Sequence, residues 1–110
     1  MRYDIILAPH AVTALKALPT PVRIGVKKAI ERHLRHEPQK VGKSRIKRLR
    51  GLRQPQFRLR VDDIRVFYDV TETQVQILAV VTKEQAQAWI DEQGTREDDA
   101  ESGGARGGEG

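Results

Sequence analysis

Residues 57–70 read FRLRVDDIRVFYDV, and their pattern decides what kind of fold this chain adopts. Phe57, Leu59 and Val61 alternate with Arg58, Arg60 and Asp62, and Ile64, Val66, Tyr68 and Val70 alternate with Arg65, Phe67 and Asp69. A period of two marks strands with one apolar face, and the Asp62-Asp63 pair between them predicts a two-residue hairpin turn. With the pivot there, Val61 faces Ile64, Leu59 faces Val66 and Phe57 faces Tyr68. On the other face Arg60 falls opposite Arg65, and Arg58 falls opposite Phe67. Like charges directly opposite one another destabilise a sheet. An anion between the two guanidinium groups would remove the repulsion and accept bidentate hydrogen bonds.

Outward from this hairpin the pattern continues on both sides. Val75, Ile77, Ala79 and Val81 alternate with Gln76, Leu78 and Val80, which predicts a third antiparallel strand after a turn at Glu72-Thr73. That register sets Leu78 beside Phe67 and Val80 beside Arg65. From Lys83 to about Gln93 the spacing is helical, with Ala86, Trp89 and Ile90 on one face. Upstream, Tyr3, Ile5 and Leu7 suggest a short strand. Pro9 opens a helix carrying Ala11, Ala14, Leu15 and Leu18, and Pro19 stops it. Thr20 then reads as an N-cap with Pro21 at the first helical position. Val22, Val26, Ala29, Ile30 and Leu34 form the stripe of this second helix, which Pro38 ends. The expected fold is α+β: an N-terminal strand and a helical hairpin packed on an antiparallel sheet, followed by a C-terminal helix.

The 110 residues suit a single domain, here residues 1–93, followed by a Gly-rich acidic tail over 94–110. That tail, with no apolar residue larger than Ala, is expected to be disordered because it has little surface to bury. There is no cysteine, which removes disulfides, thiol catalysis and Cys-based zinc sites from consideration. The longest apolar run, Ile77 to Val81, is far short of the roughly 20 residues of a membrane span. The N-terminus lacks the build of a secretory signal, so a cytoplasmic protein with no membrane partner is expected. The formal charge of +5 is unevenly distributed: residues 1–94 carry +8, and residues 95–110 carry −3. Residues 38–61 hold nine basic side chains and no acid, among them Lys40, Lys43, Arg45, Lys47 and Arg48. Such a stretch beside a guanidinium-bearing sheet face is the footprint of a polyanion site.

Arg58, Arg60 and Arg65 are the candidate anion-holding residues, and Lys47, Arg48, Arg50 and Arg53 the flanking candidates for binding the same polyanion. Phe67 either offers a base a surface to stack on or packs under the last helix, the latter being favoured. Guanidinium groups stabilise charge but do not exchange protons near neutral pH, so proton transfer at such a site needs another group. Lys83, Lys47, Tyr68 and Asp69 are the candidates, with Tyr68 on the core-facing side of the register. His33 and His36, three apart and next to Glu37, lack a third ligand and read as a solvated helix end rather than a metal site. No metal or cofactor is expected.

Three stretches together, LPTPVRIGVKKAIERHL (18–34), KRLRGLRQPQFRLRVDDIRVFYDV (47–70) and VQILAVVTKEQAQAWI (75–90), resemble the RelE/ParE superfamily of type II toxins. The likeness spans about residues 2–93, and its most specific part is the order Lys47, Leu49, Gly51, then Phe57 to Val61, then Asp63 to Tyr68. It implies two helices against a curved antiparallel sheet with a C-terminal helix. It also implies a toxin held inactive by a cognate antitoxin. RelE-like members cleave mRNA on the ribosome, whereas ParE-like members inhibit DNA gyrase without chemistry of their own. Arg58, Arg60 and Arg65 match the basic positions of the RNase branch. Around the last strand and helix, where those RNases commonly carry an arginine and then a tyrosine or histidine, this sequence has Lys83-Glu84 and Trp89-Ile90. A non-catalytic RNA-binding protein is the third reading.

Overall fold

The computed structural model, which describes residues 1–42 and 44–97, runs β1 (Asp4–Leu7), α1 (Pro9–Ala17), α2 (Thr20–Leu34), β2 (Ile46–Arg48), β3 (Leu52–Gln54), β4 (Phe57–Val61), β5 (Ile64–Val70), β6 (Gln74–Thr82), α3 (Lys83–Gln93) and β7 (Thr95–Arg96). The main sheet has the order β1-β6-β5-β4-β2, antiparallel except for β1, which runs parallel to β6. The α1–α2 hairpin covers one face. Ala11, Leu15, Val26, Ile30 and Leu34 from the helices meet Phe57, Leu59, Val66, Tyr68, Val75 and Ile77 from the strands in one buried cluster. Among the described residues no helix is long and apolar enough to cross a membrane.

The β4–β5 hairpin has the expected register, from Phe57 opposite Tyr68 to Val61 opposite Ile64. Its turn is made without glycine because Asp62 takes φ +52°, a conformation that Asp tolerates better than most side chains. The next hairpin starts as expected, with Val70 opposite Val75, and then departs from expectation. Tyr68 pairs with Ile77 but Phe67 pairs with Ala79, so Leu78 is an unpaired bulge residue. Beyond it the strand changes phase: Val81, not Val80, lies beside Arg65, and Val80 turns into the helix-covered core. A bulge of this kind also bends the strand and strengthens its twist.

Three further differences concern termini and the basic stretch. Thr20 is not an N-cap: Pro19 occupies that position, and the Thr20 hydroxyl instead accepts from Arg23 Nη2 at 3.3 Å. Arg23 also donates to the Lys16 and Leu18 carbonyls at 3.1 and 3.4 Å, supplying partners to the end of α1. The region between Pro38 and Phe57 contains two short strands, β2 pairing with β4 and β3 pairing with β7. Residues 94–97, expected in the tail, are therefore ordered, and the Glu97 N–H donates to the Gly51 carbonyl at 3.1 Å. Lys43 and residues 98–110 lie outside the described residues. At the other end of α3 the Thr82 hydroxyl accepts from the Gln85 N–H, and the Gln85 side chain accepts from the Thr82 N–H, a reciprocal cap that starts the helix at Lys83.

Candidate functional site

The sheet face away from α1 and α2 carries the charge. Crossing from β2 to β6, Lys47 lies beside Arg58, Arg58 beside Phe67, and Phe67 beside Ala79. One row over, Arg60 lies beside Arg65 and Arg65 beside Val81. Strands lie about 4.8 Å apart, so these side chains leave the sheet as close neighbours. Among the described residues none of Arg58, Arg60 and Arg65 has a carboxylate within 4.0 Å.

Arg58 is the most constrained of them. Its Nη2 donates to the Ser44 carbonyl at 2.7 Å, while its buried Nε has no acceptor among the described residues. Burial first, then the charges of Arg65 and Arg60, push its pKa below the ordinary guanidinium value. An arginine nonetheless stays protonated at neutral pH, so the group persists as a half-buried cation with an unmet donor. Buried donors left unpaired are rare because each costs roughly 1–3 kcal/mol. Arg65 is anchored at the turn, its Nη1 donating to the carbonyls of Asp62 at 2.7 Å and Ile64 at 3.1 Å. Among the described residues Arg60 makes no side-chain hydrogen bond, and it is exposed. Two directed cations and one free one thus surround a place suited to a bidentate anion.

The candidate proton-transfer groups are sorted clearly by their surroundings. Tyr68 is fully buried, donates its hydroxyl to the Pro38 carbonyl at 2.6 Å and stacks on Phe57 at 5.5 Å, and burial raises its pKa strongly. Asp69 is buried and accepts from Gln54 Nε2 at 2.6 Å and the Gln56 N–H at 2.7 Å, which fastens the strand β4 approaches from. Both are structural: Tyr68 faces the helix-covered core, and Asp69, in phase with Arg65 and Phe67 on the charged side of the sheet, is held by Gln54 and Gln56. Lys83 sits at the edge of the site, where its N–H donates to the Asp63 carbonyl at 2.8 Å and its Nζ pairs with the Asp63 carboxylate at 3.5 Å. Lys47, opposite Arg58, is the one of the four that lies on the charged face both exposed and with no ion pair among the described residues.

The flanking candidates divide as well. Arg48 is on the opposite face from Lys47, its guanidinium 5.2 Å from the Phe57 ring centroid, where it shields the core edge rather than joining the arginine cluster. Arg50 and Arg53 are exposed around the β2–β3 turn and on β3, in the small sheet with β7, and they do not line up with Arg58. Phe67 is not a stacking surface in this structure: Trp89 lies parallel over it at 5.1 Å and leaves it 1% exposed. Its role is to hold α3 on the sheet.

Sequence reasoning passed over a second set of groups. His33 is not a solvated helix end. It is half-buried in a groove between α2 and the β4–β5 turn, with Arg32, Arg45 and Arg60 around it. Burial first, then Arg45 and Arg32, lower its pKa below the ordinary histidine value, which keeps the imidazole neutral at pH 7. A helix stripe from Val26 through Ile30 to Leu34 identifies the buried face of α2, and His33, three after Ile30, borders it. That spacing was the available signal.

No family-level sequence profile matches the chain, and no curated protein sequence matches it either. Solved structures do. The RelBE2 toxin–antitoxin complex from Mycobacterium tuberculosis contains a chain 27% identical with a TM-score of 0.59, the alignment covering 74% of this chain and 99% of that one. A RelB–RelE antitoxin–toxin complex from Methanococcus jannaschii gives 20% identity and a TM-score of 0.59, covering 76% of this chain and 96% of that one. The YoeB dimer from Staphylococcus aureus gives 17% and 0.54, covering 74% of this chain and 97% of that one. The fold is that of the RelE toxins, and the resemblance read from the sequence holds over about three quarters of the chain.

Proposed function

With the RelE-type fold as premise, we propose that this chain is the toxin of a type II toxin–antitoxin module that acts in the cytoplasm and is neutralised by a cognate antitoxin. Its activity, on this reading, is ribosome-dependent cleavage of mRNA. The observation that carries it is the buried, acceptorless Nε of Arg58 beside the opposed Arg60 and Arg65. A stable protein gains nothing from such an arrangement unless an anion completes it, and a scissile phosphate is an anion of the right geometry. The three guanidinium groups would hold the phosphate and stabilise the charge that builds on it as a 2′-hydroxyl attacks. Lys47 and Lys83 are the groups near enough to move protons, Lys47 from the sheet face and Lys83 from the edge, where release from Asp63 would free it.

Growth arrest on induced expression, followed by primer extension on translated mRNA, tests the reading. Arg60→Ala or Arg65→Ala is expected to abolish arrest with the fold intact, and unchanged toxicity in both variants would sink the site. In-frame cuts in translated mRNA support the endonuclease. One observation favours a second reading: of the candidate proton-transfer groups, Tyr68 and Asp69 are sequestered and Lys83 is ion-paired. A face that binds without cleaving fits a ParE-like inhibitor of DNA gyrase, or a non-catalytic RNA-binding protein. A DNA-damage response with intact mRNA would identify the former, and RNA binding without cuts the latter.

A further inference from the structure

The charged sheet face does not end at Arg60. Its N–H donates to the Arg45 carbonyl at 2.8 Å, so the backbone ahead of β2 continues the strand pairing and sets Arg45 beside Arg60. Arg45, Arg60 and Arg65 therefore form one row across three adjacent segments. The row leads over the sheet edge into the groove, about 1070 Å³ in volume, between α2, the segment before β2 and the β4–β5 turn. Arg32 and His33 on α2 form its opposite wall.

We propose that this groove is a second binding site for the sugar–phosphate backbone of single-stranded RNA, continuous through Arg60 with the site on the sheet face. It extends the RNA reading above and rests on it for the strand that enters the groove. Its carboxylates are largely engaged by the protein's own lysines, Glu37 by Lys40 at 3.7 Å and Asp63 by Lys83 at 3.5 Å. Arg32, Arg45 and Arg60 have no such partner within 4.0 Å among the described residues. The groove's apolar side chains are Ala29, Val41, Ile46 and Val61, small or at the margin, which is poor anchorage for an amphipathic peptide. It is larger than most enclosed small-ligand pockets, which run to roughly 1,000 Å³, and its lining is mainly polar. Those features suit a flexible polyanion whose phosphates each accept from a guanidinium fork.

His33 reports on occupancy. The groups around it are Arg32, His36 and Glu37 from α2 and the turn after it, Lys40 and Arg45 from the following segment, and Arg60, Asp62 and Asp63 from the hairpin. Four of these groups are cations and three are carboxylates, and a phosphate on the arginines would offset their repulsion of an imidazolium. RNA binding is therefore expected to raise the His33 pKa, and by linkage RNA is expected to bind more tightly as pH falls through that range.

The test uses the full chain and a fluorescent oligouridine, with the association constant measured over a salt series. Single-strand binding weakens with salt by about 0.7 log units per log unit for each phosphate neutralised. Arg32→Gln combined with Arg45→Gln is expected to reduce that slope by about 1.4, with thermal stability retained. The His33 C2–H resonance, followed by NMR, should titrate at higher pH with oligouridine present, and the double variant should show a smaller displacement. An unchanged slope, absence of oligouridine binding by the wild type, or equal competition by a polyglutamate peptide would each overturn the groove assignment. Slope reduction without mRNA cuts in cells overturns the endonuclease reading and leaves the groove standing. Cuts that persist with an unchanged slope do the reverse.

Discussion

On β4 and β5, neighbours in sequence occupy opposite surroundings. Leu59 and Val66 are fully buried against the helices, whereas Arg60 is exposed and Arg65 half-buried on the far side. The apolar face is closed: the buried hydroxyl of Tyr68 has an acceptor. The far face has an unmet donor, two opposed cations and cover only where Trp89 stacks on Phe67. Stability is concentrated on one side of the strands, and the other side carries an arrangement that lowers stability and would gain from a ligand. The same two strands thus separate the face that holds the fold from the face proposed to bind a target.

Substitutions on the two sides should behave differently. The largest effect is expected from Leu59→Ala, which empties a fully buried position and should cost about 2–5 kcal/mol, read as a lower thermal midpoint with binding by the folded molecules unchanged. Tyr68→Phe should cost about 1–3 kcal/mol, because the Pro38 carbonyl loses its donor. Arg60→Gln should act in the opposite sense, stabilising the fold by about 0.2–1 kcal/mol as the repulsion from Arg65 disappears, while weakening RNA binding. A loss of stability there would mean that the opposed arginines are not in conflict. Smallest is the acid response through His33. Its folded pKa lies below the unfolded value of 6.5, so as pH falls below that value the unfolded chain takes the proton first and stability declines. His33→Gln should flatten that part of the pH–stability profile, and an unaltered profile would show that neither burial nor the charges of Arg45 and Arg32 act on the imidazole.

The hairpin of β4 and β5 was readable because each position has an unambiguous side: a charged or apolar residue every second place and a two-residue turn leave one register. The strand after it had no such marker. From Ile77 to Val81 every side chain is apolar, so nothing in the composition distinguishes a core-facing from an outward-facing position, and the bulge at Leu78 left no trace. Strand β2 was hidden for a related reason, since Ile46-Lys47-Arg48 has a single apolar residue and depends on pairing with β4. Of the site, Arg58, Arg60 and Arg65 came together through local register, which short-range pattern describes well. The groove did not, because Arg32, His33, Arg45 and Arg60 come from separate elements and meet only when α2 packs on the sheet edge.

The bulge also bears on how the gene can change length. Leu78 is opposed by no residue, and the strand on either side of it is already in the phase its neighbours require. Excising that codon would bring Ile77 next to Ala79 with both halves of β6 still facing as they do now, at the expense of local bend. Deleting Ile77 or Ala79 would let Leu78 take the vacated place in the same phase, whereas a cut farther along the strand would invert the residues between it and the bulge. Single-codon deletions across β6 should therefore be tolerated best at or beside Leu78, and length variation among related chains should gather there.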